Sequence, residues 1–166
     1  VAREIAKIVK ADNRKDGYLE GNGYAVTWAY GHLITLADAS AYGVQGSWNK
    51  EQLPIIPDKF VTVPIELKKD ESNTLYKIQL KTISALFKKS DKIIVATDAG
   101  REGELIFRFI YEYLSQKDGF DTPFERLWIS SLTDKAIKDG LNNLKPGQEY
   151  DNLSAAAKAR SEADWL

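Results

Sequence analysis

The chain has 166 residues, 43% hydrophobic and 28% charged, a composition that supports one globular core and excludes an intrinsically disordered chain. Without cysteine it has no disulfide framework, and without an apolar run near the roughly 20 residues that span a bilayer it reads as cytosolic and soluble, with no membrane partner. The 23 Lys and Arg against 24 Asp and Glu leave a net charge of −1, which advertises no nucleic-acid surface, although a local basic groove fits inside a neutral total.

The absence of methionine and an opening Val1-Ala2-Arg3-Glu4 that is already helical in pattern predict a piece of a longer protein. Val1, Ile5, Ile8 and Val9 share one helical face. A polar turn over 12–17 is expected next, then a hairpin over 18–30 in which aromatic and β-branched residues flank Gly21-Asn22-Gly23. Gly31-His32 follows at the predicted end of an apolar strand. Residues 37–64 carry loop signals at Gly43, Gly46, Pro54 and Pro57, with Trp48 as an expected anchor and Phe60–Pro64 as a short strand. Leu75, Ile78, Thr82 or Ile83, and Leu86 mark a helix over 73–89, whose other face is lysine-rich. The apolar run Lys92–Thr97 predicts a buried strand, Leu105, Ile106, Phe109, Ile110 and Tyr113 a helix, and Arg126–Ile129 a second strand. That βαβ unit implies a parallel sheet flanked by helices. Ser131–Asp134 offers a cap for a helix to about Asn142. An alanine-rich helix from Asp151 closes the chain and runs to its last residue with no cap, so both ends look cut.

The chemistry gathers in Thr97-Asp98-Ala99-Gly100-Arg101-Glu102-Gly103-Glu104, where a strand gives way to a helix and open α/β sheets bind ligands. Asp98 at the strand tip and Glu102 in the first helical turn offer hard oxygen ligands suited to Mg²⁺, which needs only one or two protein carboxylates. Arg101 supplies a planar fork for phosphate oxygens, and the helix start adds free N–H groups. Against this stands a bland account, in which acidic residues settle in a first turn because of the helix dipole and Arg101, Glu102 and Glu104 form a solvated ion cluster. Dinucleotide and Walker fingerprints do not fit, and no zinc or Ser-His-Asp pattern exists. His32, the one histidine, is a candidate phosphate ligand or proton donor, with a satisfied half-buried ring as the alternative. Lysines cluster at Lys68-Lys69 with Lys77, Lys81, Lys88, Lys89 and Lys92. Lys158 and Arg160 lie on the alanine-rich helix, where small residues allow a nucleic-acid backbone to approach.

Ala96–Ile106 resembles the acidic motif of the Toprim domain in type IA DNA topoisomerases of the bacterial topoisomerase III group. Val1–Ala6, Gly31-His32-Leu33, Leu53–Pro57, Arg126–Thr133 and Ala159–Leu166 resemble that group in the same order, so the resemblance spans the chain. The acidic motif alone also admits Toprim primases and nucleases, and a non-catalytic DNA-binding module is the third reading; the Arg126 and Arg160 segments favour the topoisomerases. The resemblance implies a Toprim-type, Rossmann-like, mostly parallel α/β sheet, with 1–148 as a Toprim domain lacking its first strand and 149–166 as the start of the helix into the next domain. It implies Mg²⁺ as cofactor, Asp98 and Glu102 as metal residues, Glu102, Arg101 and His32 as catalytic residues, and His32, Arg101, Lys158, Arg160 and Asp164 as DNA contacts. Single-stranded DNA and the parent enzyme's other domains would be the partners, in a bacterial cytoplasm near the nucleoid. The parent would cleave one strand through a 5′-phosphotyrosyl link, pass another and reseal without ATP. Three departures are expected: the family's upstream glutamate would lie before Val1, Gly100 stands where many relatives carry a second aspartate, and none of the 8 tyrosines has the nucleophile's context.

Overall fold

Helix α1 (Ala2–Val9) buries Ile5 and Val9 of the predicted apolar face together with Ala6, while Ile8 is half-buried and Val1 exposed. It ends at Lys10, whose left-handed φ of 60° turns its N–H back to the carbonyls of Ala6 and Lys7. The computed structural model describes residues 1–44, 50–67 and 72–166. The expected hairpin forms from β2 (Tyr18–Gly21) and β3 (Tyr24–Thr27). The stretch expected as a polar turn adds a further antiparallel strand, β1 (Asn13–Lys15). All of β1 is exposed, so it has no apolar alternation from which a strand is legible, and its charged residues suit a sheet edge.

His32 does not end an apolar strand. β3 stops at Thr27, and residues 28–33 pass irregularly to β4 (Ile34–Leu36), which pairs antiparallel with β5 (Thr62–Pro64). Leu33 and Ile34 are fully buried, which pins His32 beside the core. Trp48, Lys68 and Lys69 lie outside the described residues.

α2 (Ser72–Lys89) forms with the predicted bounds but a rotated face. It buries Leu80, Ile83, Leu86 and Phe87, while Leu75 and Ile78 are 58% and 51% exposed. The cause is Gln79, 2% exposed, whose amide donates to the carbonyls of Gly17 (3.1 Å) and Trp28 (2.7 Å) and to the Thr27 hydroxyl (3.0 Å). Those bonds turn a polar residue inward and carry Leu75 and Ile78 out.

β6 (Ile93–Val95), α3 (Arg101–Asp118) and β7 (Phe124–Arg126) form the predicted βαβ unit, with β6 and β7 parallel. β7 begins before the expected strand, since Pro123 O already accepts from Ile93 N–H at 2.9 Å. The mostly parallel sheet expected from the sequence is not seen among the described strands, which form three small sheets. Parallel pairing is confined to β6 and β7; β8 (Lys145–Pro146) returns to β7 antiparallel. α4 (Asp134–Leu141) lies between them, capped by Thr133, whose hydroxyl accepts from Ala136 N–H at 3.2 Å.

α5 (Asp151–Trp165) packs on α3. Its Trp165 donates Nε1–H to Ala37 O at 3.0 Å and sets its ring edge-on to Phe60 and Tyr42. Leu33, Ile34, Leu80, Ile83, Phe87, Leu105, Phe109 and Leu114 form the main core. No helix among the described residues is long and apolar enough to cross a membrane.

Candidate metal and phosphate site at the strand tip

Beyond Val95 the chain leaves β6 and turns through Asp98 and Gly100 into α3. The turn rests directly on the helix, because a β-carbon on Gly103 would lie 1.9 Å from Asp98 O; only glycine permits that approach. Thr97 adds a hydroxyl bond to Gly103 O at 2.7 Å. Gly100, the residue before α3, has φ 154° and ψ 176°, a conformation nearly restricted to glycine. The motif glycines therefore fold the strand tip against the helix start and leave the helix N–H groups facing outward.

Asp98, Arg101 and Glu102 are all exposed around this turn. The structure brings His32 to them: its Nε2–H donates to Glu102 Oε1 across 70 residues of sequence. The His32 ring, 28% exposed in its side chain, rests 6.5 Å from the ring of Phe109, while the Glu102 side chain is 73% exposed. Arg101 has no hydrogen bond or ion pair among the described residues, so its fork is free to take an anion. A cleft of about 410 Å³ opens beside the strand tip, lined in part by Thr97, Asp98, Ala99, Leu127 and Ser131. A larger groove of about 1110 Å³ lies between β4, β5, α2 and α3. It contains Lys77, Lys81, Lys88 and Lys117 but not Asp98; the smaller cleft has Asp98 in its lining, while His32, Arg101 and Glu102 line neither.

The other predicted contacts do not join this group. Lys158 pairs with Glu112 of α3, which fastens α5 to α3. Arg160 pairs with Asp164 at 3.6 Å on the same exposed helix face. Among the described residues neither contacts His32 or Glu102.

Glu104 is the residue that sequence reasoning misplaced, because it takes no part in a solvated cluster with Arg101 and Glu102. It is 1% exposed and lies 3.1 Å from Nε of Arg126, itself 1% exposed, and 2.8 Å from Nε of Arg108. Arg126 donates through Nη1 to Val95 O (3.0 Å) and Thr97 O (2.7 Å), and through Nη2 to Asp98 O (2.7 Å). Burial lowers the Arg126 pKa, opposed by Glu104, Tyr150 and Asp98, and a guanidinium so partnered keeps its charge. Burial raises the pKa of Tyr150, partly offset by Arg126; its ring stacks on Trp128 at 4.9 Å. The sequence carried little signal of this pair, because β7 reads Phe124-Glu125-Arg126 and an arginine in so short a strand is ordinarily exposed.

A family model described as the Toprim domain matches residues 2–132. DNA topoisomerase 3 of Bacillus thuringiensis (strain Al Hakam) is 53% identical over 166 residues, covering 99% of this chain and 21% of that protein. The DNA topoisomerase 3 of Bacillus anthracis gives the same figures. That of Bacillus subtilis (strain 168) is 48% identical over 167 residues, covering 100% of this chain and 22% of that protein. The chain thus spans about a fifth of the length of the curated relatives it matches.

Proposed function

The chain belongs to the Toprim domain family, and from that premise we propose that it is the metal- and phosphate-positioning unit of a type IA DNA topoisomerase of the topoisomerase III kind. The observation that carries the reading is the convergence of Asp98, Arg101 and Glu102 on one strand-to-helix turn, with His32 brought onto Glu102 from a distant segment. The rival readings, a primase or a nuclease, find no support in the names of those relatives.

The donor set fits one hard divalent ion. Asp98 and Glu102 offer two exposed carboxylates, and an ion of the Mg²⁺ type completes its shell with water and phosphate. No group of three His, Cys, Asp or Glu able to hold a metal occurs among the described residues. Gly100 in place of a second strand-tip carboxylate favours one ion over two. When bound, Mg²⁺ would neutralise charge on the scissile phosphate and support resealing.

The chain's own groups do the rest. Arg101 takes phosphate oxygens in its planar fork, and the outward N–H groups at the start of α3 add fixed positive dipoles. His32 holds a proton on Nε2 against Glu102 Oε1, where it serves as phosphate ligand or proton donor. No tyrosine hydroxyl is hydrogen-bonded to His32, Arg101 or Glu102 among the described residues, and the attacking tyrosine is assigned to another part of the parent enzyme. Residues 1–148 are read as the Toprim unit, and 149–166 as the helix toward the next domain. Lys158, Arg160 and Asp164 are placed along bound single-stranded DNA, and the enzyme in the bacterial cytoplasm near the nucleoid.

Relaxation of negatively supercoiled DNA by the full-length enzyme tests the site. Asp98→Asn and Glu102→Gln are each expected to lower the Mg²⁺-dependent rate about 100-fold or more; wild-type rates in both variants would overturn the assignment.

A further inference from the structure

We propose that Arg126 is a positioning residue whose guanidinium, held by Glu104, sets the backbone of the strand tip and thereby the placement of Asp98 beside the start of α3. This rests on the proposed metal and phosphate role of Asp98, but the tether itself is a matter of backbone geometry.

Ordinary strand pairing ends where the tether begins. The last ladder bond from β7 is Leu127 N–H to Val95 O at 2.9 Å. Beyond it no strand among the described residues pairs with residues 97 and 98, and the Arg126 fork takes both of their carbonyls in place of a strand. A third bond to Val95 O anchors the fork in the sheet. The remaining nitrogen, Nε, lies 3.1 Å from Glu104 Oε2 as an ion pair without the angle of a hydrogen bond, and Glu104 belongs to the same first helical turn as Arg101 and Glu102. One rigid group therefore spans the end of β6, the turn that carries Asp98 and the beginning of α3.

Stability alone gives little reason for such a pair. Two charges each 1% exposed forfeit several kcal/mol of hydration apiece, and an apolar pair of similar volume commonly does as well or better. Lysine has the charge but not the planar fork, so it cannot reach three carbonyls and a carboxylate together. Arg108, the other partner of Glu104, serves a different end: it reaches Gly147 O at 2.8 Å and Asp151 at 2.9 Å, fastening α3 to the start of α5. It makes no contact with the strand tip among the described residues.

The test uses full-length protein with methyl-labelled alanine, reading the Ala99 methyl as a probe within the turn. In Glu104→Met/Arg126→Met, which also takes from Arg108 its buried carboxylate and is therefore expected to lower the melting temperature, the Ala99 order parameter is expected to fall from about 0.85 to below about 0.6. The Mg²⁺ concentration at half-saturation is expected to rise at least about tenfold. Arg126→Lys is read in the same way should the double variant not fold. Arg108→Lys is expected to leave Ala99 ordered. An unchanged Ala99 in the Arg126 variants overturns the tether, as does equal loosening in Arg108→Lys. Failure of wild-type protein to bind Mg²⁺ at Asp98 would instead sink the metal reading and leave the tether to be judged by Ala99.

Discussion

At Gly103 the contact with Asp98 leaves no room for even one additional carbon, since a β-carbon there would also come within 2.9 Å of Asp98 N. The Asp98 backbone cannot step aside as a side chain would, so Gly103→Ala is expected to cost about 1–3 kcal/mol or more. Urea denaturation measures it, and a midpoint equal to wild type would refute the packing. Gly100 answers a different constraint. Its β-carbon would meet nothing within 4 Å, yet its φ is 154°. Gly100→Asp, which places a second carboxylate in the turn, is therefore expected to lose about 1–3 kcal/mol to backbone strain. If the same denaturation shows no loss, the turn adopts another conformation when a side chain is present. The sequence made these glycines visible as a bend; it did not distinguish close contact at one from dihedral demand at the other. Arg126 was harder to read, because an arginine in a short strand looks like an exposed edge residue until Glu104 is found opposite it.

Along α2, helical periodicity made the element legible but not its orientation. Leu75 and Ile78 extend an apolar stripe through Ile83 and Leu86 as well as Leu80 and Phe87 do, and the long-range bonds of Gln79 to residues 17, 27 and 28 choose between the two pairs. Leu80→Ala is thus expected to cost about 2–5 kcal/mol, and Leu75→Ala to stay within about 0.5 kcal/mol of wild type. Thermal melts of the pair decide the matter, and equal losses would mean that the stripe was assigned to the wrong face. The cap of α4 was plain in advance, because a threonine before an acidic first turn states its own local reason. Thr133→Ala is expected to remove about 1 kcal/mol, measured in the same melts. β1 was invisible for the opposite cause: both its faces meet solvent, so its pairing with β2 leaves no trace in hydropathy.

For the molecule as a whole, separation along the chain divides the contacts into two kinds. The β6–α3–β7 unit brings together residues about 30 apart, as in the 31-residue separation of Arg126 and Val95. His32 and Glu102 are 70 apart, and Trp165 and Ala37 are 128 apart. Loop closure grows costlier with length, so local contacts lead and distant ones follow. The Trp165 indole, whose Nε1–H reaches Ala37 O from the last turn of α5, then acts as a timer as much as a clasp. The β6–β7 pair, and with it the seat of Asp98, is expected to form before α5 docks. Mutational analysis of folding rates checks that order: Leu105→Ala is expected to give a φ-value above about 0.5, and Trp165→Phe one below about 0.3. The reverse ranking would mean that the clasp closes first and the strand tip is assembled inside it.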